Sequence, residues 1–259
     1  MTIVLVILAL AVSLSAIMAL AWWVVLRTGN SGFTDVFWSY AVGVAGVAAA
    51  LVPLGPEGPE ARNWLVAALV GIWSLRLGTH ILRRTLKGVD YPRYAQLKAE
   101  WGDKRDQQLL LFLQIQAACG LVLAIAAMAA AHNPAPFGLP DMLGILVAII
   151  AIFGEAVSDA QLAASKRDPA NKGKVCDTGL WGLSRHPNYF FEWFFWLACP
   201  LIAIGYDFGW FALAAPALMY WLLVHASGIP PLEAHMMRSR PEAFADYKRR
   251  VRAFWPVPK

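Results

Sequence analysis

Seven stretches of this chain, 3–26, 35–54, 63–82, 108–131, 142–164, 188–206 and 208–228, run apolar for about the twenty residues that a helix needs to cross a lipid bilayer. Unpaired backbone groups are costly in lipid, and the runs are too long and too continuously apolar for barrel strands, so they read as helices. Residues AVILMFWYC make up 59% of the 259 and charged residues only 15%, a mix that a water-soluble globule struggles to keep off its surface. The expected fold is an all-α integral membrane protein, a bundle of seven transmembrane helices in a single domain. Helices one to four fill 1–131, and helices five to seven with a tail fill 142–259.

The basic residues set the orientation. With the N-terminus outside, the inner segments hold Arg27, seven residues from Arg83 to Arg105, five from Lys166 to Arg185 and seven from Arg238 to Lys259. Only Arg62 falls in an outer loop and Arg76 within a helix, so the positive-inside rule puts the C-terminus in the cytoplasm. The net charge of +5 then reads as topology and attraction to anionic membrane lipids, and the same loops suit a polyphosphate. Nothing calls for nucleic acid or an obligatory protein partner. The first segment lacks a basic start and runs into Trp22, Trp23 and Arg27, so it reads as a retained helix rather than a signal peptide. Cys119, Cys176 and Cys199 have neither disulfide nor zinc-site spacing. No Gly-x-Gly-x-x-Gly fingerprint or P-loop is present, and Gly43 with Gly46 reads as a close helix contact.

Ionisable residues inside membrane helices are costly, and each is a functional candidate. Arg76 and His80 on helix three, Glu155 and Asp159 on helix five, Glu192 on helix six, and His225 with Ser227 on helix seven are expected to point into one cavity at the cytoplasmic end. The segment from Ser165 to His186 is long for a loop in a compact protein, which marks it as functional. It leads into Arg185, His186, Pro187, Asn188 and Tyr189. Proline suits the first turn of a helix, whose free N–H groups favour an anion, and Arg185 and His186 stand where they can add donors.

Over Gly154 to Lys259 the motifs GEAVSDAQLAASKRDPANKGKVCDTGLWGLSRHPNYFFE, SGIPPLEAHM and ADYKRRVRAFWPVPK give the chain its resemblance to the membrane-bound steroid 5-alpha-reductase family, in its short bacterial branch. The resemblance implies a protein of the bacterial cytoplasmic membrane. It implies a seven-helix bundle in which NADPH occupies a cytoplasm-facing cavity and reduces a lipid-like enone, such as a 3-oxo-Δ4 steroid, held among the first four helices. Carried over by position, Asp159, Lys166, Arg167 and Asn171 hold the adenosine and phosphate end, and Arg185 and His186 the pyrophosphate. Asn188, Tyr189 and Glu192 meet the nicotinamide or its ribose, and Ser227, Glu233, Arg240 and Tyr247 close the cavity, with Arg76 and His80 counted among the cofactor residues. No metal is implied.

Enone reduction also needs a donor for the carbonyl oxygen and a proton for carbon. Asp35, with Tyr40 one turn on, is the candidate. Animal relatives carry a Gln-Glu pair here and a tyrosine on the next helix, whereas this chain has TDVFWSY and, on helix three, Trp73. The Arg-His-Pro-x-Tyr element also occurs in membrane methyltransferases, so transfer of a methyl group from S-adenosylmethionine to an isoprenoid or phospholipid is the alternative.

Overall fold

The computed structural model describes residues 2–55, 58–88, 94 and 101–259. Within the basic segment from Arg83 to Arg105, residues 89–93 and 95–100 lie outside the described residues. Every named element among those described is helical, and one isolated bridge, Ser184 with Arg252, is the sole strand-like pairing among them. The helices are α1 (Ile3–Thr28), α2 (Gly32–Leu51), α3 (Ala61–Thr85), α4 (Arg105–Ala131), α5 (Leu139–Arg167), α6 (Pro187–Trp196), α7 (Ala198–Ile202), α8 (Ala214–Trp221), α9 (Ile229–Ser239) and α10 (Pro241–Arg250).

Six helical stretches among the described residues are long and apolar enough to span a membrane, the architecture of an integral membrane protein. Five coincide with α1 to α5 and the sixth runs over Gly209–Ser239. The expected span 188–206 is instead two helices, α6 and the five-residue α7. Pro200 explains the break: its ring clashes with the carbonyl four residues back, that of Trp196, the last residue of α6.

The chain divides into two compact units, 1–143 with 199–215, and 144–198 with 216–259. In the first, α1, α2 and α4 share a core of Leu14, Met18, Ala45, Leu113 and Ala117. Backbone approach between α2 and α3 depends on residues without side chains. A Cβ at Gly43 would overlap the Ser74 side chain, and one at Gly78 would come within 2.7 Å of the Tyr40 ring. Ser74 Oγ donates to the Ser39 carbonyl at 2.9 Å across the same contact. Arg62, expected in a loop, lies in the first turn of α3 and is buried: Nε and Nη2 meet Asp141 at 2.7 and 3.0 Å, and Nη1 donates to the carbonyls of Asn133 and Ala135.

In the second unit the α5 backbone at Gly154 lies against the Phe191 ring of α6, where a Cβ would clash. Residues Leu222–Ala226 form a π-type turn, closed by Ser227 N–H to the Leu222 carbonyl at 2.8 Å. Gly228 follows, close enough to the Leu223 carbonyl that any side chain would collide with it, and α9 begins in a new direction. The tail returns after α10, and Phe254 and Trp255 insert among Phe190, Trp193 and Tyr220, with ring centroids 5.3 to 6.2 Å apart.

Candidate functional site

The loop after α5 folds on its own polar residues. Asp168 accepts from Ala170 N–H at 2.9 Å and from the Asn171 side chain at 3.3 Å, which braces the turn. Lys174 N–H then closes on the Asn171 carbonyl at 3.0 Å through Gly173, whose φ of 82° is left-handed and favours glycine. The turn sets Lys172 and Lys174 on the rim of a cleft of about 300 Å³, which Lys166, Asn171, Cys176 and Arg240 also line. Lys172, Lys174 and Arg240 have no ion pair among the described residues. The structure therefore brings together Lys166, Asn171 and Arg240 with Lys172 and Lys174 in a cleft whose four cations outnumber its one carboxylate, Asp168.

Further along, Gly179–Gly182 docks onto the cytoplasm-facing end expected for α5. Leu180 N–H donates to Gln161 Oε1 at 3.0 Å and Trp181 Nε1 to the Ser158 carbonyl at 2.9 Å. Ser184 then anchors the tail, with Oγ donating to the Phe254 carbonyl at 2.9 Å and accepting from His186 N–H at 3.1 Å. Arg185 N–H bonds the Arg252 carbonyl at 2.8 Å.

The side chains that follow form a buried clasp. Arg185 Nε and Nη2 approach Glu233 Oε1 at 2.8 and 2.6 Å, and Nη1 reaches the Val251 carbonyl at 2.5 Å. His186 Nε2 donates to the same Oε1 at 3.1 Å, and Lys248 Nζ stands 3.6 Å from Oε2. The donors that the sequence directs at a pyrophosphate are thus turned on Glu233. Burial holds the His186 imidazole below its ordinary range, outweighing the Glu233 carboxylate that pulls the other way. Its ring stacks on Tyr189, centroids 5.5 Å apart and planes at 12°. Tyr247 is buried too, and its hydroxyl donates to the Trp181 carbonyl at 2.5 Å. Burial pushes that phenol above its usual range, so it stays a donor.

Asn188 and Tyr189 lie half-buried in the first turn of α6, and Glu192 is buried one turn on, where Trp196 Nε1 approaches Oε1 at 3.4 Å. Asp159 and Ser227 are half-buried, Glu155 is buried, and Arg167 and His225 are exposed. These belong to the second unit, whereas Arg76, half-buried, and His80, exposed, belong to the first.

The first unit also holds the residues expected at the carbonyl. Asp35 lies in the first turn of α2, and Tyr94 donates its hydroxyl to Asp35 Oδ1 at 2.9 Å. Tyr94 is fully buried and packs edge-on against Phe112 at 6.2 Å. Tyr40 instead pairs with Thr79 Oγ1 at 3.1 Å, and Trp73 is fully buried in α3.

Residues 21–251 match the family described as Protein of unknown function (DUF1295). The chain belongs to that family. The match takes in the cleft, the clasp and the Asp35–Tyr94 pair together. No curated protein matches the sequence. Within this DUF1295 member, sequence reasoning passed over Tyr94, Lys172 and Lys174. The lysines enter the sequence reading only as part of a basic loop suited to a polyphosphate, although Asp168, Asn171 and Gly173 around them spell a tight turn. Nothing local distinguishes Tyr94 from the other aromatics of a basic segment.

Proposed function

We propose that this protein is an NADPH-dependent reductase of the membrane, reducing the conjugated double bond of a 3-oxo-Δ4 steroid or a similar lipid enone. The observation that carries the reading is the cleft of Lys166, Asn171, Lys172, Lys174 and Arg240. Its donor set fits a cofactor with several phosphates: lysines supply point charges and Arg240 a planar fork that suits a phosphate bidentately. S-adenosylmethionine has no phosphate and gives those cations no task, so methyl transfer is the weaker reading.

Bound NADPH supplies hydride. The protein's part is to hold the cofactor and to stabilise charge on the substrate oxygen. Lys172, Lys174 and Arg240 offset phosphate charge, while Asn188, Tyr189 and Glu192 offer an amide, a phenol and a carboxylate at the start of α6. On substrate binding the Tyr94 O–H would turn from Asp35 Oδ1 to the enone carbonyl oxygen and stabilise the enolate that hydride addition leaves, Asp35 holding the phenol in place beforehand, and the proton that carbon then takes would come from water.

Seven crossings, with the C-terminus in the cytoplasm, are part of the same proposal. Residues 184–185 pair with 252–254, so the loop before α6 and the tail lie on one side of the membrane. The chain between them would then cross an even number of times, and the stretch from Gly209 is long and apolar enough to be one of the crossings. The Trp193 indole donates to the Pro216 carbonyl at 3.0 Å, and Phe190 and Tyr220 meet the same tail aromatics, the register of an antiparallel hairpin. This parity supports α6 and α7 as the remaining crossing. The basic loops and tail then face the cytoplasm of a bacterial inner membrane.

The test is NADPH oxidation by detergent-purified protein with a 3-oxo-Δ4 steroid, comparing wild type with Glu192→Gln and weighing the product. A gain of two hydrogens that disappears in the variant supports the reading. No oxidation, with a thermal shift by S-adenosylmethionine and none by NADPH, refutes it.

A further inference from the structure

Two clefts meet at Arg240. The first is the basic one. The second, of about 340 Å³, is lined by Ser239, Arg240, Pro241, Glu242 and Ala243, and shares Gly173 and Arg240 with the first. Together they make a trough with chemically unlike halves. In one half three lysine ammonium groups, of Lys166, Lys172 and Lys174, outnumber the one carboxylate, Asp168. The other has a single charged side chain of its own, Glu242, at the first turn of the ten-residue α10.

The halves sort a ligand by charge. A phosphate is attracted to the lysine half and repelled from the carboxylate in the other. A carboxylate only accepts hydrogen bonds, so whatever lies beside Glu242 must donate one and carry no negative charge. Pro241 offers an apolar ring but no N–H, and the Glu242 and Ala243 N–H groups that follow it supply donors for ring nitrogens. Arg240 stands between, and a guanidinium both pairs with phosphate and stacks on a flat ring. The ligand that satisfies both halves carries phosphate at one end and a planar, amine-bearing heterocycle at the other. Resting on the dinucleotide reading above, we infer that Glu242 accepts a hydrogen bond from the exocyclic amine of adenine and so selects adenine over bases that present an oxygen there.

The experiment measures binding to the detergent-purified full chain of NADPH and of nicotinamide hypoxanthine dinucleotide phosphate, in which an oxygen replaces that amine. Wild type is expected to bind the hypoxanthine form about tenfold more weakly, one hydrogen bond exchanged for a clash of acceptors. Glu242→Gln can donate from its amide, and is expected to narrow the gap to less than about threefold or to invert it. Lys172→Ala/Lys174→Ala is expected to weaken adenosine 2′,5′-bisphosphate while leaving the adenine-to-hypoxanthine ratio alone. Equal affinities in wild type, an unchanged gap in Glu242→Gln, or a ratio that moves with the lysines overturns the inference and leaves the nucleotide site standing. Failure of wild type to bind either dinucleotide overturns the nucleotide reading itself, and this inference with it.

Discussion

Replacing Glu233 by Gln tests whether the clasp holds the second unit together. The change keeps the side-chain volume and removes one negative charge. In the structure that charge faces Arg185 at 2.6 and 2.8 Å and His186 at 3.1 Å, and the Arg185 side chain is only 6% exposed. Arg185 cannot shed its proton, and it would keep its bond to the Val251 carbonyl but lose its counterion. Breaking a buried pair by removing one partner costs about 3–5 kcal/mol. At roughly 2–4 °C per kcal/mol for a chain of this size, the expected fall in Tm is about 6–20 °C. Lys248→Ala is the internal control. Its ammonium is 3.6 Å away on a side chain 53% exposed, so its loss costs at most about 1 kcal/mol. Thermal unfolding of both variants in detergent, with proteolysis at the tail as a second readout, decides the matter. A Glu233→Gln protein that melts within about 2 °C of wild type, with its tail still protected, would refute the argument that Arg185 depends on this carboxylate.

Other perturbations have equally definite outcomes. Asp35→Asn and Tyr94→Phe are each expected to lower enone reduction about 10²-fold or more while leaving NADPH affinity unchanged; turnover that survives in both places the donor elsewhere. Gly43→Ala should cost about 1–3 kcal/mol by wedging α2 from α3, with Gly43→Ala/Ser74→Gly recovering part of it in the same melting assay. Because burial lowers the folded-state pKa of His186, the unfolded chain takes up a proton that the native state resists. Stability is then full above the ordinary histidine value of about 6.5 and falls as pH drops below it. Tm is expected to fall between about pH 7.5 and 5.5 in wild type and to fall less in His186→Gln, and parallel curves would argue against the histidine as the cause.

What the sequence disclosed follows from how local each interaction is. Hydropathy over twenty residues is a property of a window, so α1 to α5 were legible with their approximate ends. The interruption of 188–206 was written in Pro200, yet a hydropathy window averages over a proline whose effect is geometric. Lys166, Asn171 and Arg240 were named together through the family resemblance, and the fold brings Arg240 to the cleft of the other two from about seventy residues away, a proximity that no local pattern records. Arg185 shows the limit most clearly. Its residue type pointed to an anion, which is right as chemistry, but the anion it meets is a carboxylate forty-eight positions along the chain. Pairing at that separation leaves no periodic trace in one sequence. The consequence reaches beyond this residue: an arginine beside a helix start predicts that negative charge will be met there, and only the fold decides whether it belongs to a ligand or to the protein. Here Glu233 takes that place, so under the proposed reading a phosphate would have to rely on cations without an ion pair of their own, and Lys172, Lys174 and Arg240 in the cleft answer that description.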